Sequence, residues 1–258
     1  MLESANRRFA LSMGPQGAQL ALRSGWLRPR YRLLESLVWQ AQATDEQRGA
    51  VLDALLLRHA KPGSALEVLV ADLWVPSVSV QPPVNGASVG DLAAAVSLRM
   101  GAVTDSGADW QIASAPRMGG RFVASALRSS LMDMLRNQCQ RHGLHLVSVQ
   151  PLFVAVWNHW HAILVPGQWL AICGPSAVTL CIAPQRHLEQ LRRLDFTPAD
   201  AQTLLWPVEA AQREAMRLGL PAPTVLGLCG TVPLAWRGAP GVYLGPVGDA
   251  AGLWGVKP

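Results

Sequence analysis

Four histidines, His142, His145, His159 and His161, lie close together in the chain and are its densest gathering of metal-ligating or proton-transferring side chains. A metal ion would need them to converge. His142 and His145 straddle Gly143, where a helical pattern gives way to a strand, so the two rings point in different directions. His159 and His161 can share one face of an extended segment, yet no Asp or Glu stands beside them to complete a ligand set. No metal site is expected. The cysteines Cys139, Cys173, Cys181 and Cys229 contain no CxxC pair and read as buried free thiols of a reducing compartment. The turn Cys173-Gly174-Pro175-Ser176 lacks the flanking pattern of a GxSxG nucleophile elbow. No catalytic residue is therefore expected from these groups. Of the ten tryptophans, Trp39, Trp74, Trp110, Trp157 and Trp169 fall in or beside strand-like runs and read as core. Trp26, Trp236 and Trp254 fall in Gly- and Pro-rich stretches and are the candidates for a partner-binding surface.

Composition bounds the protein class. Half of the 258 residues are hydrophobic and 15% are charged, which is ample for a core and argues against disorder. The net charge is +5, and the basic residues are nearly all arginine, with Lys61 and Lys257 the exceptions. The densest basic stretch, Arg23, Arg28, Arg30 and Arg32, lies in a predicted hairpin without an aromatic–basic RNA-binding motif, so nucleic acid is not the expected partner. A basic α/β nucleic-acid binder remains a distant alternative, marked by a steep salt dependence. No apolar run reaches the roughly 20 residues of a membrane-spanning helix. The N-terminal apolar run is too short for a signal peptide, and a cytoplasmic location is expected.

Strand signals come first in the chain. Phe9 to Met13, Ala18 to Arg23 and Arg30 to Trp39 form a meander that opens with a hairpin at Gly14-Pro15-Gln16-Gly17. Thr44 caps a helix whose Val51, Leu52, Leu55 and Leu56 share a face. Leu66 to Ala71 and Val75 to Val80 read as a strand pair around Asp72-Leu73-Trp74. Ser88 caps a helix to about Met100, and Trp110 to Ala113 is a strand. The segment Arg121 to Trp157 then reads as strand, helix and strand in a crossover with parallel pairing. Leu127, Leu131, Met134, Leu135 and Cys139 share the helix face. A second three-strand meander is expected at Ala162–Val165, Trp169–Cys173 and Val178–Ile182. Helices are expected over Arg186–Leu194 and over Pro198–Leu218, the latter broken before Pro207. Thr224–Leu228 and Gly241–Leu244 read as strands.

A meander followed by helices, occurring twice, resembles the actin-like (ribonuclease H-like) ATPase fold, as used by PilM and by the GspL cytoplasmic domain of type IV pilus and type II secretion systems. The likeness rests on FALSMGPQGAQLAL (Phe9–Leu22), LEVLVADLWVPSVSVQPP (Leu66–Pro83), GLHLVSVQPLFVAVWN (Gly143–Asn158) and the second meander. It implies a two-lobed α/β fold with an inserted small α+β subdomain, over residues 1–83, 84–146 and 147–258 for first lobe, insert and second lobe.

The resemblance also implies where a nucleotide would sit. The first hairpin of that fold carries Asp-x-Gly, small hydroxyl residues and a Lys; here Ser12 takes the acid position, Gly14 and Gly17 remain, Gln16 lies in the turn, and Gln19 takes the Lys position. Pro15 removes one backbone donor. The second hairpin is matched to Val165-Pro166-Gly167, without its acid, and the adenosine motif to Gly227 through Gly230. The expectation is a degenerate site with no ATP or Mg²⁺ as cofactor, against the alternative of an actin-like ATPase with a noncanonical site. The resemblance implies a scaffold at the inner face of the bacterial inner membrane, holding the cytoplasmic N-terminal tail of a PilN-like or other single-span protein, with membrane association through that partner only. It leaves a homodimer open.

Overall fold

A computed structural model describes residues 7–25, 30–40, 42–84, 88–105, 107–116, 120–161, 164–184 and 187–244. The described residues build two five-stranded mixed sheets and a three-stranded sheet. In the first sheet, β1 (Arg8–Gly14), β2 (Gly17–Ser24) and β3 (Arg30–Val38) form the antiparallel meander, and β4 (Ala65–Val70) runs parallel to β1. Helix α1 (Asp45–His59) joins β3 to β4. It starts in a capping box, with Thr44 accepting from the Gln47 N–H and the Gln47 side chain reaching back. Its buried Leu52, Leu55 and Leu56 pack on Phe9, Leu11, Leu20, Leu66 and Val68 of the sheet.

The small sheet comes next. Its strands are β5 (Ser77–Val80), β6 (Trp110–Ser114) and β7 (Phe122–Arg128), in the order β5-β7-β6. Helix α2 (Val89–Gly101), capped by Ser88, lays Leu92, Val96 and Met100 on Val80, Phe122, Ala124 and Ala126. Helix α3 (Ser129–Arg141) then returns to the first lobe, where Leu131, Leu135 and Cys139 join the core beneath α1. The buried Gln138 donates through Nε2 to the Gly49 carbonyl at 3.0 Å. Strand β8 (His145–Pro151) completes the first sheet beside β4, in parallel.

Helix α4 (Leu152–Trp160) carries the chain into the second lobe. There β9 (Gln168–Cys173), β10 (Ala177–Ile182) and β11 (Gln190–Asp195) form an antiparallel meander. Helices α5 (Pro198–Gln202) and α6 (Trp206–Leu218) follow, then β12 (Val225–Gly230) parallel to β9 and β13 (Val242–Leu244) parallel to β12. The two sheets, β3-β2-β1-β4-β8 and β11-β10-β9-β12-β13, repeat one topology.

Several sequence expectations are corrected. β4 and β5 are not a pair, because β5 bonds β7 in the small sheet, and the small sheet thus begins before residue 83. β7 and β8 lie in different sheets, so Arg121 to Trp157 is no parallel crossover; β8 pairs with β4 and belongs to the first lobe. α3 likewise packs in the first lobe and not in the insert. Where the sequence predicts a helix over Arg186–Leu194, residues 190–194 belong to strand β11 (Gln190–Asp195) and 187–189 carry no helix; Arg186 lies outside the described residues. Leu188, Leu191 and Leu194 recur every third residue, a spacing that imitates a helix face, while β10 offers a ladder for residues 190–195. Of the strand expected at Ala162–Val165, Leu164 and Val165 carry none and Ala162 and Ile163 lie outside the described residues; β9, β10 and β11 make the meander that is described.

Trp236 is also corrected. The Gly/Pro-rich context placed it on the surface, yet it is 0% exposed. It stacks on Trp206 with centroids 4.9 Å apart, meets Phe196 edge-on, and donates through Nε1 to the Asp200 carbonyl at 3.1 Å. Trp26 and Trp254 lie outside the described residues. Burial of the whole indole predicts that Trp236→Ala lowers stability by about 3–5 kcal/mol. Leu57→Ala, on an exposed position of α1, changes it by less than about 0.5 kcal/mol. Chemical denaturation of the two variants checks the contrast.

Candidate functional site

The two repeated sheets present their first hairpins to each other across a cleft of about 570 Å³. The β1–β2 turn, Gly14-Pro15-Gln16-Gly17, forms one lip. Its glycines answer to packing: a Cβ on Gly17 would stand 2.0 Å from the Leu37 carbonyl oxygen, and one on Gly14 would stand 3.3 Å from Ala71 Cβ. Trp39 braces this turn, donating through Nε1 to the Gly14 carbonyl at 3.0 Å. It stacks on Trp74, over which the Arg48 guanidinium sits at 4.4 Å. The facing lip is the β9–β10 turn, Gly174-Pro175-Ser176, closed by the Gly174 N–H donating to the Ala177 carbonyl at 2.8 Å.

Ser12, Gly14, Gln16, Gly17 and Gln19 therefore all line the cleft. Val165 and Gly167, matched in sequence to the second hairpin, do not. Gly167, with φ of 82°, is held against Thr224 at the opposite end of β9, about 23 Å along the strand from the cleft lip. The turn that faces Gly14-Pro15-Gln16-Gly17 is Gly174-Pro175-Ser176-Ala177, and the shared Gly-Pro-polar-small pattern is the sequence signal that identifies it. Strand β9 brings Ile172 to the position that Ser12 holds on β1. Gly227 pairs with Leu170 inside the second sheet and is not at the cleft. Gly230, with φ of 85°, abuts the base of the second turn, where a Cβ would stand 2.4 Å from the Cys173 carbonyl oxygen.

The floor of the cleft holds a group that sequence reasoning passed over. Asp72 follows β4 and is the one carboxylate among the described lining residues; Arg193 is the one cation. Its Oδ1 accepts the Phe153 N–H, in the first turn of α4, at 2.9 Å. The Thr179 hydroxyl of β10, in the other lobe, also hydrogen-bonds it. Burial pushes the Asp72 carboxyl up to about 6, against the opposing pull of the Phe153 and Thr179 hydrogen bonds and the Arg193 charge. The nearby thiols are driven the same way: burial raises Cys181 and takes Cys229 to about 12, with the Asp72 charge adding to both. These thiols stay protonated at neutral pH and are not nucleophiles. Gln19 Oε1 is buried at the cleft without a hydrogen-bond partner among the described residues, an acceptor left for water or a bound donor.

No protein-family model matches the chain, and no curated protein matches it in sequence. Solved structures do resemble it in shape. A Bacteroides thetaiotaomicron protein of unknown function with an actin-like ATPase fold superposes with a TM-score of 0.59 at 8% identity, covering 90% of this chain and 86% of that one. The fold is the actin-like ATPase fold. The PilM–PilN type IV pilus biogenesis complex gives 0.60 at 17% identity, covering 90% and 83%. The cytoplasmic domain of EpsL, an inner-membrane component of the Vibrio cholerae type II secretion system, gives 0.54 at 12% identity, covering 94% and 87%. The cleft between the hairpins is thus the cleft of an actin-like fold, reached at identities too low to carry chemistry across.

The Asp72 environment has a pH signature. A carboxyl whose folded pKa is raised from 3.8 to about 6 binds its proton more tightly in the folded state. Its contribution is therefore fully present below pH 3.8 and is lost as pH rises through about 6. Lowering the pH from 7 to 5 should stabilise the parent protein relative to Asp72→Asn, which has no proton to take up. Melting temperatures of both proteins across that range test this, and a difference that stays flat contradicts it.

Proposed function

We propose that this chain is a non-catalytic cytoplasmic scaffold of an inner-membrane platform of the type IV pilus or type II secretion kind, binding the cytoplasmic tail of a single-span membrane partner. Two lines support the reading. The shape likeness to PilM and to the EpsL cytoplasmic domain points to the class of assembly. The observation that carries the loss of catalysis is the chemistry of the two facing lips.

Ser12 and Ile172 stand where a carboxylate would order Mg²⁺-bound water, and Gln19 stands where a Lys would meet phosphate. Pro15 and Pro175 each remove a backbone N–H from the turn that would cradle a phosphate. Asp72 faces the cleft, but it is engaged by the Phe153 N–H and by Thr179. This donor and acceptor set does not fit Mg·ATP, and no hydrolytic step is derived from it. A second reading, nucleotide binding without hydrolysis, draws on the size of the cleft, which is in the range of small-molecule sites. The partner's tail has its counterpart in the PilM–PilN complex, and we place it along the junction of the first lobe with the small sheet.

Two measurements decide between these readings. Saturating Mg·ATP should leave the melting temperature unchanged; binding at a hundred times Kd would add about 2.7 kcal/mol and move it by several degrees. The immobilised protein should capture a bacterial single-span inner-membrane protein through its cytoplasmic N-terminal segment, and deletion of that segment should abolish capture. A robust ATPase signal without any such capture would end the scaffold proposal.

A further inference from the structure

The pairing of charges sets one end of the first lobe apart. Most described arginines are held by carboxylates: Arg48 by Asp45, Arg58 by Glu35, Arg141 by Asp53 and Arg192 by Glu214, among others. Arg7, Arg8, Arg32 and Lys61 are exposed and make no ion pair among the described residues. The strand register places these four at one end of the sheet, with Arg8 and Arg32 on opposite faces of it. Arg8 opens β1; Arg32 pairs with Leu22, which pairs with Phe9, the next residue of β1. Lys61 lies in the turn into β4, where the Ala65 N–H donates to the Arg7 carbonyl at 2.9 Å.

Two described carboxylates toward this end are already engaged. Glu67 takes Arg23 at 2.7 Å, and Glu35 takes Arg58 at 2.8 Å and His59 at 2.6 Å. Two exposed aliphatic side chains flank the cations on the two edge strands: Leu33 on β3, and Val147, the extra residue of a bulge in β8. The end lies about 20 Å from the cleft hairpins, the length of β1. It is therefore independent of the cleft.

We propose that this basic end of the first lobe rests directly on an anionic phospholipid surface, adding a second contact to the one made through the membrane partner. Unpaired cations near a membrane are attracted to its negative surface potential, and aliphatic side chains beside them enter the headgroup region. The choice of a lipid surface over nucleic acid rests on the inner-membrane scaffold reading and on the aliphatic character of the flanking residues, since single-stranded nucleic acids are gripped through stacked aromatics.

The test uses the full chain alone, without a partner, so its failure and that of the scaffold reading are separable. Co-sedimentation is measured with phosphatidylcholine vesicles and with vesicles containing about one third phosphatidylglycerol, at low salt and at roughly 0.15 M. The protein should pellet with the anionic vesicles only, and less at the higher salt. Arg7→Gln/Arg8→Gln/Arg32→Gln/Lys61→Gln should lower that partitioning about tenfold or more. Arg99→Gln/Arg121→Gln/Arg237→Gln, which removes three cations elsewhere, should leave it within about twofold; melting temperatures confirm that both variants fold. Equal loss in the two variants, or no anionic preference, overturns the proposal. So does four-cation-dependent binding of a DNA oligonucleotide without vesicle binding.

Discussion

Helix α4 has to be satisfied from two sides at once. Its N-cap, Pro151, offers no side-chain acceptor, so the first-turn N–H groups need one from elsewhere. Asp72 supplies it from the end of β4 and, through Thr179, joins the same point to the second lobe. A carboxylate at a helix N-terminus also meets the favourable end of the helix dipole. Along its length α4 divides its packing. Ala155 meets Ala10, Ala21 and Leu69 of the first sheet, while Phe153, Val156 and Trp160 enter a cluster with Leu170, Ile172 and Cys181 of the second. Small residues on the first side let the helix approach closely; large ones on the second fill the space between helix and sheet. With α4 fixed in this way, the β1–β2 and β9–β10 hairpins come to face each other, and the cleft follows from the seam.

The insertion is held by the same economy of contacts. Its small sheet does not float on a linker: the Ser79 hydroxyl donates to the Glu189 carbonyl at 2.7 Å, which ties β5 to the start of β11 in the second lobe. On the other side the Asp109 carbonyl, just before β6, accepts the Ser129 N–H at the head of α3 in the first lobe at 2.9 Å. One face of the sheet is closed by α2, and the serines Ser77 and Ser125 bond each other across β5 and β7 at 2.9 Å. The insert thus touches both lobes.

What the sequence made legible was local chemistry. The N-caps at Thr44 and Ser88, the break before Pro207 and the hairpin at Gly14-Pro15-Gln16-Gly17 all have mechanisms confined to a few residues, and all appear in the structure. Partnerships between distant strands were not legible. β5 follows β4 by one turn, yet it bonds β7, because the chain leaves the first sheet at Asp72. β11 carries leucines at a helical spacing and became a strand because β10 offered it a ladder. Trp236 sits among glycines and prolines, and only the arrival of Trp206 and Phe196 from other elements buries it. Asp72 was read as a turn residue for the same reason: its partners, Phe153 and Thr179, are 81 and 107 positions away.

The glycines of the cleft bear on what the fold has kept. In an actin-like hairpin a glycine can serve the ligand, by letting a phosphate approach the backbone, or serve the chain. Here the second demand is sufficient. Gly17 is required by the Leu37 carbonyl and Gly230 by the Cys173 carbonyl, each of which would collide with a Cβ whether or not anything occupied the cleft. Other positions of the cleft are set by different demands: Ser12, Ile172 and Gln19 line it without acid or lysine, Ile172 also packing against α4, and both turns begin Gly-Pro. The glycines therefore report the close approach of neighbouring strands within each sheet. The residues that report on ligand chemistry are the ones the backbone does not constrain.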